Sequence, residues 1–223
     1  MTTSFIVTAG GIGTRMGVNI PKQFIEINGR PILIHTLKKL HAFNSQAQFL
    51  LTLPADWVEF WKNLCKIHDF NLDIQIVEGG QERFHSIKNA LKFATGEIIA
   101  IHDGVRPLVS HQTLQDLIES VSKYEAVIPI AGIKESVRLI KENVSEPINR
   151  DTLKIVQTPQ VFKKKLILKA YESDFSDTFT DDASVVEKLG VPIQLIQGND
   201  ENIKITTPLD LKLAEYFLGL KEF

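Results

Sequence analysis

The sequence predicts an α/β protein, a Rossmann-like and mostly parallel sheet with helices on both faces and an inserted antiparallel β-arm. Three observations carry this. Short apolar runs alternate with stretches of helical period along nearly the whole chain. The runs are apolar throughout rather than at every second residue, the pattern of strands buried on both faces. One segment, at about residues 132–156, breaks the rhythm and shows no helical period.

The strand-like runs are Ser4–Thr8, Phe49–Leu53, Ile74–Val77, Glu97–Ile101, Ala126–Ile130 and Ile193–Ile196. Between them, Pro31–Leu40 places Ile32, Leu33, Thr36, Leu37 and Leu40 at helical spacing. Ala55–Ile67, Glu82–Ala94, Thr113–Tyr124, Lys163–Tyr171 and Asp182–Leu189 read alike. The last helix opens with TTPLDLKLAEYFL, where Thr207 caps, Pro208 takes the first helical position and Asp210 completes a capping box. The irregular segment, GIKESVRLIKENVSEPINRDTLKIV, has β-like pieces, asparagine, proline and dense charge. Such an excursion cannot bury itself against its own sheet. No repeat, low-complexity tract or linker interrupts the chain. The expectation is one domain over residues 1–223 with an arm at about 132–156.

Composition narrows the function classes. Lys and Arg number 25 against 27 Asp and Glu, a net charge of −2. That balance excludes a bulk nucleic-acid surface or a polybasic membrane surface, so an anion must be held by local groups. One cysteine, Cys65, excludes an intramolecular disulfide and a Cys-rich zinc site. No apolar stretch approaches membrane-spanning length. The first residues show no basic region followed by a signal-type apolar core. The expected setting is the cytoplasm, with no nucleic-acid or membrane partner.

In such a sheet, ligands sit at the carboxyl ends of the strands. Polar clusters stand at those ends: TAGGIGTRMG, EGGQERFHS, HDGVRP, QTPQ and ENIKITTP. In the first, glycines let backbone amides converge on phosphate oxygens, and Arg15 and Lys22 add two positive charges. The pair fits a polyphosphate whose negative charge grows at one phosphorus. The Walker ending Gly-Lys-Ser/Thr is absent. The dinucleotide fingerprint fails because Met16 stands where its last glycine belongs. No serine-histidine-aspartate signature, HExxH or nucleophile elbow is present.

The opening TAGGIGTRMG…PKQF resembles the signature of sugar-phosphate nucleotidyltransferases. With GGQERFHS, HDGVRP, NRDTLKIVQTPQVF, TDDASVVE and ENIKITTPLDL in order, the chain resembles the 2-C-methyl-D-erythritol 4-phosphate cytidylyltransferase family of the non-mevalonate isoprenoid pathway, nearly end to end. The resemblance implies transfer of CMP from CTP to a polyol phosphate, with Mg²⁺ as the expected companion of CTP. Ala9, Gly10, Gly11 and Gly13 are then expected at the nucleotide, and Arg15 and Lys22 at the α-phosphorus. Gly80, Arg83 and Ser86 are expected to read the cytosine through backbone and serine. Asp103 is expected on the sugar side or beside Mg²⁺, the one metal ligand assigned. Arg106, Ser136, Thr158 and Thr180 are expected at the substrate, and Arg150 and Lys204 at the acceptor phosphate. Such arms embrace a twofold partner, which implies a homodimer with Arg150 of one subunit completing the site of the other.

Plainer readings stand beside these. His102 reads as a packed histidine, and Asp181-Asp182 as a helix cap. Arg83 reads equally as an ion-pair partner. Trp57 and Trp61, four apart, read as packing, and Lys163–Lys165 as a solvated helix start. Alternatives for the whole chain are a ribitol-5-phosphate cytidylyltransferase, a dinucleotide-binding dehydrogenase and a non-catalytic nucleotide-binding module. Cations on both sides of the transferred group argue against the last.

Overall fold

A computed structural model describes residues 1–11, 20–142 and 144–220. Its first half is a parallel sheet in the order β5-β4-β1-β6, built from β1 (Thr3–Thr8), β4 (Gln48–Leu53), β5 (Gln75–Glu78) and β6 (Ile98–Asp103). The chain runs outward from β1 to β5, then returns past β1 to lay β6 on its other side. That reversal leaves a crevice at the carboxyl ends of β1 and β6.

Both faces of this sheet are covered, which is why its longer strands carry unbroken apolar runs. On one face Phe5, Val7, Phe49, Leu51 and Leu53 pack against α1 (Ile32–Phe43), α2 (Val58–Ile67) and α4 (His111–Ser120). Trp57 and Trp61 join Phe24, Phe60 and Phe70 there in an aromatic cluster. On the other face Ile6, Leu50, Val77, Ile99 and Ile101 pack against α3 (Arg83–Leu91), α5 (Lys164–Ala170) and α6 (Asp182–Glu187). A two-stranded hairpin, β2 (Glu26–Ile27) and β3 (Arg30–Pro31), precedes α1. Asn28 and Gly29 turn it at φ +49° and +74°, the left-handed pair a tight hairpin needs. α7 (Pro208–Gly219) packs Ala214 with Ile27 and Ile205 in a small third core, and its capping box of Thr207 and Asp210 is formed as expected.

The far half departs from the expectation in one respect. β7 (Ala126–Gly132) is flanked on one side by β12 (Gln194–Gln197) and on the other by two short antiparallel strands, β10 (Lys154–Val156) and β11 (Gln160–Lys163). β11 also pairs with β6 and so joins the two halves. Lys154–Val156, read as part of the arm, is therefore an edge of the main sheet. The free arm is the hairpin of β8 (Val137–Lys141) and β9 (Val144–Ile148), which pairs with nothing else among the described residues. Leu139, Ile140 and Val144 on it are exposed.

Candidate active site

A cavity of about 300 Å³ opens at the crevice. Its walls come from the ends of four strands and one later loop. Thr8, Ala9, Gly10 and Gly11 follow β1; Thr52 and Pro54 end β4; Gly79 to Arg83 and Ser86 join β5 to α3; Asp103 and Val105 end β6; Lys204 follows β12. Lys22 and Gln23 complete it. Four of the five clusters expected on one rim thus meet at one cavity.

The end of β1 is fixed by a neighbouring turn. Buried Gln23 donates through Nε2 to the Ala9 carbonyl at 2.6 Å, fixing the end of β1 against the turn that presents Lys22. A Cβ on Gly10 would meet no atom of the described residues within 4 Å. Gly13 and Arg15, assigned to the same loop, lie outside the described residues.

The loop after β5 is built differently. A Cβ on Gly80 would stand 2.3 Å from the His85 Cβ, so only glycine lets this loop press against α3. The Gly80 amide donates to Ser86 Oγ at 3.0 Å, and Ser86 Oγ donates to the Glu82 carbonyl at 3.2 Å. The Gly79 amide donates to the Leu53 carbonyl at 2.8 Å. These two amides are therefore committed within the protein, and Ser86 keeps acceptor capacity only.

Asp103 is the electrostatic centre. Lys204 Nζ and Arg106 Nε each lie 3.1 Å from its Oδ2, and Arg83 Nε lies 3.8 Å from Oδ1. Burial alone would raise this carboxyl. The charges of Arg83, Lys204 and Arg106 outweigh burial and hold it well below the usual carboxylate range, so it stays ionised. Arg83 makes the ion pair read for it as one option: Nη1 and Nη2 sit 2.8 and 2.7 Å from the two oxygens of buried Asp182. Tyr171 Oη donates to the same carboxylate at 2.6 Å. Arg83 also lines the cavity.

Two expected substrate contacts lie behind the wall. Arg106 is buried, and its Nη1 donates to the Asn202 carbonyl at 2.7 Å; its guanidinium anchors Asp103 and the loop leading to Lys204. Thr158 is also buried, accepts from the Asp103 amide at 3.1 Å and lies 3.0 Å from His102 Nδ1. His102 Nε2 faces the Arg106 carbonyl at 3.0 Å. A carbonyl only accepts, so Nε2 carries the proton and the Thr158 hydroxyl donates to Nδ1. Burial pushes the His102 imidazole down to about 4, so it is neutral and packed, as read. Neither Arg106 nor Thr158 lines the cavity, and both support Asp103 from behind it. Sequence patterns give no depth, and a residue just after a strand can point either way.

The remaining assignments lie elsewhere. Thr180 sits on a neighbouring groove that shares Glu82 and Arg83 with the cavity. Asp181, next to it, caps α6 through Ser184. Ser136 and Arg150 are exposed on the arm side and do not line the cavity; an Arg150 Nη1–H donates to the Lys134 carbonyl. Four supporting residues escaped the sequence reading: Gln23, Thr52, Asp182 in its pairing role, and Asn202, whose Nδ2 donates to the Thr158 carbonyl at 2.9 Å. PKQF contained the signal for Gln23. Thr52 is a polar residue near the end of an apolar strand.

Among the described residues no group of three or more His, Cys, Asp or Glu is placed to hold a metal, and no helix is long and apolar enough to cross a membrane. The model of the 2-C-methyl-D-erythritol 4-phosphate cytidylyltransferase (IspD) family matches residues 3–220. A protein of that name from Bacteroides fragilis is 47% identical over 219 residues, covering 98% of this chain and 100% of its own. Another from Bacteroides thetaiotaomicron is 44% identical over 219 residues, with the same coverage. The 4-diphosphocytidyl-2C-methyl-D-erythritol synthase structure from Anaerococcus prevotii aligns with a TM-score of 0.83 at 31% identity, covering 97% of this chain and 96% of that one. The 2-C-methyl-D-erythritol 4-phosphate cytidylyltransferase structure from Thermus thermophilus gives 0.80 at 28%, covering 97% and 98%.

Proposed function

The chain belongs to the 2-C-methyl-D-erythritol 4-phosphate cytidylyltransferase family and catalyses its reaction, and we propose that the cavity holds CTP from the β1, β4 and β5 side and the acceptor from the Lys204 side. CMP passes from CTP to 2-C-methyl-D-erythritol 4-phosphate, a step in making isoprenoid precursors. An acceptor phosphate oxygen forms a bond to the α-phosphorus of CTP. The bond from that phosphorus to the bridging oxygen breaks, and pyrophosphate leaves. The nucleophile is already an anion, so no general base is needed, and catalysis reduces to positioning and charge neutralisation.

The observation that carries this reading is that Lys22 and Lys204, from opposite ends of the chain, line one cavity with Asp103 between strand ends. Lys22, with Arg15 by resemblance, meets charge growing on the α-phosphate. Lys204, aligned by Asp103, meets the acceptor phosphate. The carboxylate assigned to Mg²⁺, Asp103, already faces Lys204, Arg106 and Arg83, and among the described residues no group is placed to hold a metal, so a nucleotide-borne Mg²⁺ would be held by the phosphates themselves. Bound there, the ion would neutralise phosphate charge.

Ser86, left as an acceptor, suits the amino group of cytosine over the carbonyl of uracil. Ser136 and Arg150, exposed on an arm that does not wall its own cavity, support a homodimer in which each arm serves the partner's site. The single cysteine supports a cytoplasmic setting. Pyrophosphate release from CTP, screened over methylerythritol phosphate, ribitol 5-phosphate and sugar 1-phosphates, tests the acceptor side. Release is expected with methylerythritol phosphate; a preference for ribitol 5-phosphate would reject it.

A further inference from the structure

The hydrogen-bonding capacity on the base side of the cavity can be counted. The amides of Gly79 and Gly80 are spent on Leu53 and Ser86, and the Ser86 proton is spent on Glu82. An acceptor wall satisfies the amino group of cytosine. It leaves the base's own acceptors, N3 and O2, to donors elsewhere on the cavity wall.

Thr52 lies where such a donor is wanted. Its neighbours across the sheet are Thr8 and Val77, and Thr8 pairs in turn with Asp103. Two residues earlier on the same face, Ile6, Leu50 and Ile101 belong to the core. The row Asp103–Thr8–Thr52–Val77 is thus where the apolar interior ends and the cavity floor begins. Asp103 is ion-paired, and Thr8 Oγ1 lies 3.5 Å from the His102 carbonyl. Thr52 lines the cavity and is 1% exposed, yet its Oγ1 has no hydrogen-bond partner among the described residues. Valine would fill the same volume and suit a strand without burying an unpaired hydroxyl. Retaining the hydroxyl makes sense if a ligand completes it.

We propose that Thr52 is a specificity-determining residue whose hydroxyl donates to O2 of the bound pyrimidine. This rests on reading the Gly80–Ser86 side as the base pocket. O2 is common to cytosine and uracil, so Thr52 favours pyrimidine nucleotides as a class, while Ser86 separates cytosine from uracil.

The test is Thr52→Val in the full chain, with Thr52→Ser beside it. The melting temperature without nucleotide should be unchanged or higher, since an unpaired buried hydroxyl has been removed. KM should rise about 5- to 30-fold for both CTP and UTP, with kcat within about twofold. The stabilisation of the protein by added CTP should shrink, and Thr52→Ser should restore KM. An unchanged KM, a rise confined to one nucleotide, or a drop in melting temperature without nucleotide overturns the proposal. Ser86→Ala separates the two readings. If it relaxes the CTP-over-UTP preference while Thr52→Val does nothing, only the Thr52 role falls. If neither substitution alters nucleotide use, the base pocket itself is misplaced.

Discussion

Lys22, on the short turn Lys22–Phe24, and His102, near the end of β6, show how differently two polar residues close to one cavity behave. Lys22 lines the cavity, and in the proposed arrangement it meets charge that grows only as the α-phosphorus is attacked. Lys22→Ala should therefore lower kcat by about 10²–10³ and change KM for CTP far less. A large KM change with intact turnover would make Lys22 a ground-state binder. His102 never meets substrate, and its effect is on stability. Its folded pKa of about 4 lies below the unfolded value of 6.5. The unfolded chain therefore takes up a proton first as pH falls, and stability is lost through the window from about 6.5 to about 4. Urea unfolding at about pH 5 should give a free energy about 2 kcal/mol below that at about pH 7 from this residue alone. His102→Gln, which removes the titration, should flatten that slope.

Among the elements, α3 and α6 are fastened by three side chains that sequence spacing does not connect. Arg83 begins α3, Asp182 begins α6, and Tyr171 follows α5. Asp182→Ala deprives a guanidinium and a buried hydroxyl of their shared acceptor. The Arg83 side chain is one-third exposed and can rehydrate, so most of the cost falls on Tyr171. A loss of about 2–3 kcal/mol is expected in denaturant unfolding. Adding Tyr171→Phe should recover about 1 kcal/mol, because the orphaned hydroxyl is then gone. This junction also marks how far the sequence could be read. The long strands announced themselves because unbroken apolar runs of three or four residues, such as Phe5–Val7 and Ile98–Ile101, leave little choice. β11 did not: four residues between Pro159 and a lysine-rich helix show no period, and its role depends on pairing with β6 more than fifty residues earlier. The rim was legible for the same reason as the strands, since loops at their carboxyl ends must converge. Depth was not. Nothing local distinguishes Arg106, turned inward to Asn202, from Arg83, which reaches the cavity. Thr52 carried no motif and became visible only when its neighbours' hydrogen bonds were counted.

For the whole molecule, the proposed homodimer is tested by sharing of sites between its subunits. Lys22→Ala and Arg150→Ala should each be nearly inactive as pure proteins. If Arg150 serves the partner's site, a mixed dimer has one site with both lesions and one with neither. Random co-assembly should then restore up to about a quarter of wild-type activity, since about half the dimers are mixed and half their sites intact. Mixed dimers as inactive as their parents would place Arg150 in its own subunit's chemistry. The geometry of the arm's root has a further consequence. Gly132, where β7 ends, pairs directly with Lys154, where β10 begins, so the excursion leaves and returns at one rung. It is a cassette. Cut out and closed with an Asn-Gly turn, it leaves every strand of the main sheet in place. The shortened chain should still be stabilised by CTP while losing transfer. Exchanged between relatives, the cassette should carry two traits together, the choice of a subunit to pair with and the grip on the acceptor's phosphate, and no point substitution would move both.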